Sequence, residues 1–330
     1  MKIIHFSGPF LLLLLLGLSL TKCKSPVDLN AGIVVPTPID NPQSDLKIEL
    51  GRKLFFDKRL SINETVSCAT CHVPEFAFTD RKKVSEGVFG RLTERNSPTL
   101  LNAGYLPVVM FDAHLTSLEM QVIVPIQEHV EMDMKMGDLI QRLQKVDEYQ
   151  TAARKIFNRE FDPFVLTRSI SAFQRTLISS NSRFDQYYYG KKQNALNKSE
   201  QNGWKLFSEK LYCVKCHTPP HFTTFKAENN GLYKDYGIDQ GRFRIFHDST
   251  DIGKFKVPTL RNIELTHPYM HDGSMMTIDD VLDHYSKGGM KHWNQNSIIQ
   301  PFQLTNGEKA DLKAFLRSLT DTSYMTDFRQ

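Results

Sequence analysis

The chain has 330 residues, with 41 basic and 37 acidic side chains and a formal net charge of +4. This length is enough for one large domain or two of ordinary size. Its composition, 40% hydrophobic and 24% charged, is typical of a globular protein. The charge excess is mild and forms no basic block interleaved with aromatic residues, so composition argues against a nucleic-acid partner.

Residues 1–22 have the pattern of a signal peptide. Lys2 precedes an apolar stretch over residues 10–20, which is too short to span a membrane as a helix. Cys23 ends a segment that resembles the lipobox of bacterial lipoproteins, although Lys22 replaces the small residue expected there. The sequence therefore predicts export. It leaves open whether Cys23 carries a lipid anchor or is an incidental cysteine after ordinary cleavage.

Residues 23–44 predict an extended tether. Four prolines fall in this segment (Pro26, Pro36, Pro38 and Pro42), and proline-rich segments form semi-rigid spacers. We place the first domain after it, at residues 45–190, and the second domain at residues 191–330.

Four of the five cysteines form two motifs, Cys68-Ala-Thr-Cys71-His72 and Cys213-Val-Lys-Cys216-His217. Each motif is typical of covalent attachment of a c-type haem, in which two thioethers hold the porphyrin and the histidine supplies an axial nitrogen. A Cys-x-x-Cys disulfide would constrain little, and zinc motifs usually keep their cysteine pairs within about 20 residues of each other. A histidine directly after both pairs favours two haem groups over either alternative.

The two motifs belong to an internal repeat. Gly-Arg-Lys-Leu-Phe at residues 51–55 precedes the first motif, and Gly-Trp-Lys-Leu-Phe at residues 203–207 precedes the second. Downstream, Pro-Thr-Leu-Leu-Asn at residues 98–102 matches Pro-Thr-Leu-Arg-Asn at residues 258–262, and an aspartate follows each at the same distance (Asp112 and Asp272). These correspondences indicate two related domains in tandem, each built around one haem.

The segments between these landmarks have helical periodicity. Apolar residues recur near helical spacing over residues 138–157 and again over 164–178. Thr305-Asn-Gly-Glu308 is a capping box that predicts the start of a further helix. Alternating strand patterns are scarce, and the loops at 79–98 and 226–256 are long. We therefore predict a mostly α fold, with two cytochrome c-like haem domains in tandem and long loops that wrap the haem edges.

Over most of residues 46–320 the chain resembles the bacterial diheme cytochrome c peroxidases and their MauG-like relatives. The resemblance implies that the N-terminal haem reacts with hydrogen peroxide in the periplasm. It also implies that the C-terminal haem relays electrons from a small cytochrome c or cupredoxin, and that a homodimer forms, as in many relatives. Besides the two haem motifs, it rests on Gly-Arg-Lys-Leu-Phe-Phe-Asp from Gly51, Arg95-Asn-Ser-Pro-Thr99, Val130-Glu-Met132 and Leu265-Thr-His-Pro-Tyr269.

The resemblance also implies roles for several side chains around the haems. Glu131 matches the glutamate that moves a proton between the peroxide oxygens, which typically raises the rate by about 10²–10⁴-fold. Gln121 matches a glutamine that orients the bound oxygen. Asn96, Thr266 and Pro268 match positions that hold one calcium ion between the domains with oxygen ligands. Turn capping is the alternative role for Asn96.

The distal side of each iron departs from the usual pattern of the family. Val88 occupies the position of the distal histidine of the first haem, and valine cannot bind iron, so this haem should be open to peroxide. Tyr285 occupies the position of the distal methionine of the second haem, as in MauG. Met275, Met276 and Met290 lie nearby in the sequence and remain alternative ligands.

A third departure bears on the reaction. Phe111 replaces the tryptophan that the family places between the haems, and phenylalanine is much harder to oxidise. The resemblance therefore implies a peroxidase first. MauG-like oxidation of a protein or small-molecule partner is an alternative, which Tyr285 favours and Phe111 opposes. A diheme electron carrier without its own substrate is a further alternative, against which Val88 and Glu131 argue.

Overall fold

The computed structural model describes residues 34–328. The predicted signal peptide and Cys23 lie outside the described residues. Within the described range, no helix is both long enough and apolar enough to cross a membrane.

The fold is mostly helical, which confirms the prediction. A single two-stranded antiparallel sheet is found between residues 34 and 328, and it pairs Ala227 with Lys256. A π-helical turn over Leu206–Lys210 extends α9. The helices are α1 Asp45–Phe56, α2 Cys68–Cys71, α3 Leu118–Gln121, α4 Ile123–Gln127, α5 Met136–Leu143, α6 Asp147–Phe157, α7 Pro163–Gln174, α8 Arg183–Tyr188, α9 Lys198–Lys205, α10 Phe243–Phe246, α11 Ile278–Ser286 and α12 Asn306–Ser318, and the strands are β1 Ala227–Glu228 and β2 Phe255–Lys256.

The apolar stripe predicted over residues 138–157 lies on two helices rather than one. Leu143 ends α5 and Asp147 begins α6, because Val146 between them has extended dihedral angles (φ −96°, ψ 102°). Leu139, Leu143 and Tyr149 are nevertheless buried, as the stripe implies. Periodicity therefore identified the buried face but not the break in the backbone.

The first hydrophobic core is organised by the crossing of α1 and α7. Leu54, Phe55 and Ile170 are fully buried there. A Cβ atom on Gly51 would lie 1.8 Å from the carbonyl oxygen of Ser169. Only glycine allows the two helices to approach this closely, which gives a physical reason for the first glycine of the repeat.

The second core repeats this arrangement with α9 and α12. A Cβ atom on Gly203 would lie 2.0 Å from the carbonyl oxygen of Asp311, on α12. The predicted capping box opens that helix: Thr305 Oγ1 accepts a hydrogen bond from the N–H of Glu308 at 3.2 Å, and the Glu308 carboxylate accepts one from the N–H of Thr305 at 2.9 Å. The repeated glycines thus mark equivalent helix crossings in the two domains.

Some segments pack outside the domain to which the sequence assigns them. Phe184 belongs to the second core, although the predicted boundary follows residue 190. Tyr324, near the end of the described chain, packs in the first core with its ring centroid 6.0 Å from that of Phe78. The described part of the predicted tether is also packed, since Val35 is buried and Asn41 Nδ2 donates to Glu119 Oε1 at 2.7 Å.

The two repeat asparagines meet at one residue. Asn102 Nδ2 donates to the carbonyl oxygen of Ser179 at 2.8 Å, and Asn262 Nδ2 donates to the hydroxyl oxygen of the same serine at 2.7 Å. All three residues are buried. Ser179 therefore joins the equivalent turns of the two domains.

Equivalent main-chain hydrogen bonds also connect the domains. The N–H of Asn96 donates to the carbonyl oxygen of His271 at 2.8 Å. The N–H of Lys256 donates to the carbonyl oxygen of Phe111 at 2.7 Å. Each donor lies two residues before the proline of the Pro-Thr-Leu repeat. The interface thus has approximate twofold symmetry at the backbone level.

Candidate haem sites

The first motif presents His72 at the end of the short helix α2. His72 Nδ1 lies 3.0 Å from the carbonyl oxygen of Phe78 and 3.3 Å from Ser97 Oγ. A carbonyl oxygen can only accept, so Nδ1 carries the proton and Nε2 keeps a free lone pair. Burial lowers the pKa of His72, which keeps the imidazole neutral. Both features suit an axial ligand of haem iron.

The second motif has the same arrangement around His217. Its Nδ1 lies 3.1 Å from the carbonyl oxygen of Phe222. Burial lowers the pKa of His217 to about 4, so this imidazole is also neutral near neutral pH. The two domains thus present equivalent histidines, each with Nε2 available.

The cysteines of both motifs are free thiols. None of Cys68, Cys71, Cys213 and Cys216 is in a disulfide. Burial raises the pKa of Cys68 to about 12 and that of Cys71 to about 11, so both thiols are protonated near neutral pH. Within residues 34–328, no group of three or more histidine, cysteine or acidic side chains has the geometry of a metal cluster. The thiols and imidazoles fit haem attachment better than a disulfide or a zinc site.

Glu131 lies near the first motif. Its carboxyl group is close enough to Cys68 and Cys71 to influence the pKa of both thiols. Burial raises the pKa of Glu131 to about 7, and the negative charge of Glu128 adds to the shift. Glu131 can therefore exchange a proton near neutral pH, as a general acid–base group must.

The loop that contains Val88 is hydrogen-bonded to the backbone of Glu131. The N–H of Val88 donates to the carbonyl oxygen of Glu131 at 2.8 Å. A Cβ atom on Gly87 would lie 2.1 Å from the carbonyl oxygen of Val130, so glycine is needed for this approach. The Val88 side chain itself is fully buried in the first core. Its position is thus structural, and valine offers no atom that could bind iron.

Gln121 is the last residue of α3 and is half-buried. Its carboxamide does not hydrogen-bond to Glu131, nor to any other residue in the described part of the chain. The structure therefore leaves its side chain available to a ligand, and its role in the peroxide pocket stays a prediction.

Tyr285 lies against the second motif. It is in the last turn of α11, and burial raises the pKa of its hydroxyl to about 12. Cys213, Cys216 and Asn230 are close enough to contribute to the pKa of this hydroxyl. The structure thus brings Tyr285 to the haem motif for which it was predicted as a ligand.

The three methionines considered as alternative ligands of the second haem lie in different surroundings from Tyr285. The side chains of Met276 and Met290 are 57% and 55% exposed. Met275 packs against a separate cluster that includes Leu232 and Phe255.

The residues predicted to hold calcium lie where the domains meet. Asn96 Nδ2 donates to the carbonyl oxygen of Lys82 at 2.7 Å, while its Oδ1 accepts no hydrogen bond from the described residues. Arg81 Nε donates to the carbonyl oxygen of Leu265 at 2.9 Å, and so ties the segment of Thr266 and Pro268 to the first domain.

Arg95 makes an interdomain contact that the sequence did not single out. It donates two hydrogen bonds to Asp112, of 2.9 and 3.0 Å, and two to Asp239 in the second domain, of 2.6 and 2.7 Å. Its guanidinium carbon lies 6.0 Å from the ring centroid of Phe111. Arg95 and Asp112 belong to recognisable motifs, but Asp239 lies in a long loop that no sequence pattern marks.

Comparison with known proteins agrees with this geometry. A family model described as di-haem cytochrome c peroxidase matches residues 45–193. The chain is 36% identical over 289 residues to the methylamine utilization protein MauG of Methylorubrum extorquens, covering 86% of this chain and 81% of that protein. It is 32% identical over 321 residues to the cytochrome-c peroxidase IdrP1 of a Pseudomonas species, covering 87% and 84%. A crystal structure of a MauG-like protein associated with microbial copper homeostasis matches with a TM-score of 0.83 and 36% identity, over 89% of this chain and 95% of that one.

Two helical domains, each with a neutral, half-buried histidine beside a free pair of thiols, define a two-haem cytochrome. The chain belongs to the di-haem cytochrome c peroxidase (MauG) family. It is accordingly a haem oxidoreductase of the cytochrome-c peroxidase type with two haem groups.

Proposed function

We propose that this protein reduces hydrogen peroxide to two water molecules, consuming two electrons and two protons. Peroxide reacts at the haem of the first motif. Electrons from a small cytochrome c or cupredoxin enter at the haem of the second motif. The observation that carries the proposal is Glu131, a carboxyl group beside the first motif whose pKa is raised to about 7.

A haem iron ligated by His72 would supply the oxygen-binding and electron-transfer chemistry of this site. Glu131 takes a proton from the peroxide oxygen nearer the iron and returns it to the far oxygen, which leaves as water. A carboxyl group with a pKa near 7 suits both steps, because its charged and neutral forms are both populated at neutral pH. Gln121 orients the peroxide with its carboxamide, which is not hydrogen-bonded to any of the described residues.

Both haems are covalently attached, through Cys68 and Cys71 in the first domain and Cys213 and Cys216 in the second. The support is that all four thiols are free and lie beside neutral histidines. Mass spectrometry of the denatured holoprotein tests the attachment. Two haems that remain bound after denaturation would support it, and haem lost on denaturation would contradict it.

Turnover with reduced cytochrome c and hydrogen peroxide tests the activity. The holoprotein should oxidise the cytochrome in proportion to the peroxide added. A protein with both haems bound that leaves both peroxide and cytochrome unchanged would overturn the proposal, since it would then be an electron carrier.

The second candidate function is MauG-like oxidation of a protein or small-molecule partner. The observation that favours it is Tyr285, which lies against the second motif as the resemblance to MauG implies. Phe111 opposes it, because phenylalanine cannot readily pass an oxidising charge between the haems. A long-lived oxidised state after peroxide, without cytochrome turnover, would favour this candidate.

We further propose one calcium ion held by Asn96, Thr266 and Pro268. The support is that Asn96 Oδ1 accepts no hydrogen bond from residues 34–328, together with the place of Asn96 at the domain interface. A carboxamide oxygen and backbone carbonyl oxygens suit a hard cation. Dialysis against a calcium chelator should lower thermal stability, and added calcium should restore it. Unchanged stability together with no calcium in elemental analysis would exclude the ion.

Export to the periplasm, with a lipid anchor at Cys23, completes the proposal. Residues 1–22 and Cys23 lie outside the described residues, so the support is the sequence pattern alone. Fractionation of cells that express the full chain tests it. A Cys23→Ser variant should move from the membrane fraction to the soluble periplasm. Homodimer formation, which the resemblance implies, is tested by sedimentation of the same variant.

A further inference from the structure

Lys256 is held at the domain interface by its backbone. It lies in β2 opposite Ala227, and its N–H donates to the carbonyl oxygen of Phe111, in the other domain, at 2.7 Å. Its neighbours Phe255 and Val257 are 8% and 6% exposed. The base of the Lys256 side chain is therefore fixed between the two haem domains.

The side chain of Lys256 has no counter-ion in the described part of the chain. No acidic group within that part forms an ion pair with it, whereas nearby Lys254 pairs with Asp251 at 3.3 Å. Burial lowers the pKa of Lys256 to about 8 and is the only cause of the shift. The residue as a whole is half-buried, where the two domains meet. A desolvated cation without a partner is costly, and this position therefore favours an anion.

The position of Lys256 indicates which anion is near. Lys256 lies two residues before Pro258, whose carbonyl group interacts with the buried imidazole of His217. In the first domain, Asn96 likewise lies two residues before Pro98, whose carbonyl group interacts with His72, the histidine of the first motif. Lys256 therefore belongs to the turn that surrounds the axial ligand of the second haem, on the side that faces the first domain.

We propose that Lys256 Nζ is the cationic partner of a haem carboxylate where the two domains meet. The proposal rests on the proposed haem at the second motif, because each haem carries two carboxylate side chains and the chain itself supplies no acid here. A cation at this position neutralises the carboxylate in a medium of low dielectric constant. It thereby favours the reduced iron, so Lys256 raises the reduction potential of that haem.

Three variants of the holoprotein test this role. Lys256→Gln removes the charge, and Lys256→Arg keeps it with a different hydrogen-bonding geometry. Lys226→Gln is the matched control. Lys226 is exposed, its carbonyl oxygen accepts the N–H of Val257 at 2.8 Å, and its charge reaches Cys216. Haem content, the resonance Raman bending bands of the haem carboxylates and the reduction potentials are measured for each.

We expect Lys256→Gln to shift a carboxylate bending band and to lower the potential of one haem. Lys256→Arg should shift the same band while keeping the potential, and Lys226→Gln should leave the band unchanged. If Lys256→Gln does not fold, the band in Lys256→Arg decides the question. Bands identical to those of the wild type, with two haems bound, would overturn the role of Lys256. A wild-type protein without haem would overturn the proposed function instead.

Discussion

The main-chain N–H of Val88 donates to the carbonyl oxygen of Glu131 at 2.8 Å. The residue at the distal-ligand position therefore helps to hold the carboxyl group that we assign to proton transfer. Because the Val88 side chain is buried in the first core, its loop contributes support rather than a ligand. The openness that we propose for the first haem and the placement of Glu131 would thus have one structural origin.

Replacing Gly87 by alanine should disturb Glu131 without touching the haem motif. The added Cβ would lie 2.1 Å from the carbonyl oxygen of Val130, which must move and take Glu131 with it. We expect the rate of reaction with peroxide to fall, as measured by stopped-flow absorbance. Gly137→Ala is the control, because a Cβ there meets no atom within 4 Å. Equal rates in the two variants would contradict the positioning role.

Glu131→Gln should lower peroxide turnover by about 10²–10⁴-fold, because the amide cannot exchange the proton. Both haems should remain bound, which the absorption spectrum checks. Glu128→Gln is the control, since the Glu128 side chain is exposed and acts on Glu131 through its charge, while the main-chain hydrogen bond between the two residues is kept. Unchanged turnover in Glu131→Gln would refute its role as the acid–base group.

Tyr285→Phe should remove the distal ligand of the second haem. A low-spin ferric signal in the electron paramagnetic resonance spectrum should become high-spin, since phenylalanine has no oxygen to bind iron. Met290→Leu should leave the spectrum unchanged, because the side chain of Met290 is 55% exposed. If the low-spin signal survives in Tyr285→Phe and disappears in Met290→Leu, methionine is the ligand.

Gly203→Ala should destabilise the second domain. A Cβ there would lie 2.0 Å from the carbonyl oxygen of Asp311, so α9 and α12 must separate. Overpacking of this kind typically costs about 1–3 kcal/mol in the free energy of unfolding. Gly307→Ala in the first turn of α12 is the control, because its nearest neighbour would be Thr305 Oγ1 at 3.9 Å. Denaturant unfolding followed by circular dichroism compares the two, and equal midpoints would contradict the close crossing.

Local patterns predicted much of this fold. Each haem motif depends on residues within one turn or loop, and so do the capping box at Thr305 and each segment of the repeat. These features can therefore be recognised without the tertiary structure. The repeat glycines at residues 51 and 203 gained a physical reason only from the structure, which shows a carbonyl oxygen at the position of a Cβ atom.

Long-range packing could not be predicted in the same way. The contact of Arg95 with Asp239 depends on how a long loop of the second domain folds over the first. The return of Tyr324 to the first core likewise leaves no periodic signal in the sequence. That no acidic group within residues 34–328 pairs with Lys256 is visible only when the neighbouring charges have been placed.

The central claim is that Glu131 exchanges a proton with peroxide at the first haem. The second-order rate constant for the reaction of peroxide with the holoprotein, measured from about pH 5 to about pH 9, tests it most directly. Because burial raises the pKa of Glu131 to about 7, the carboxylate base forms as the pH rises. The wild-type rate should therefore increase through about pH 7 and level off above it, and this step should be absent in Glu131→Gln. The same step in both proteins, or in neither, would contradict the account.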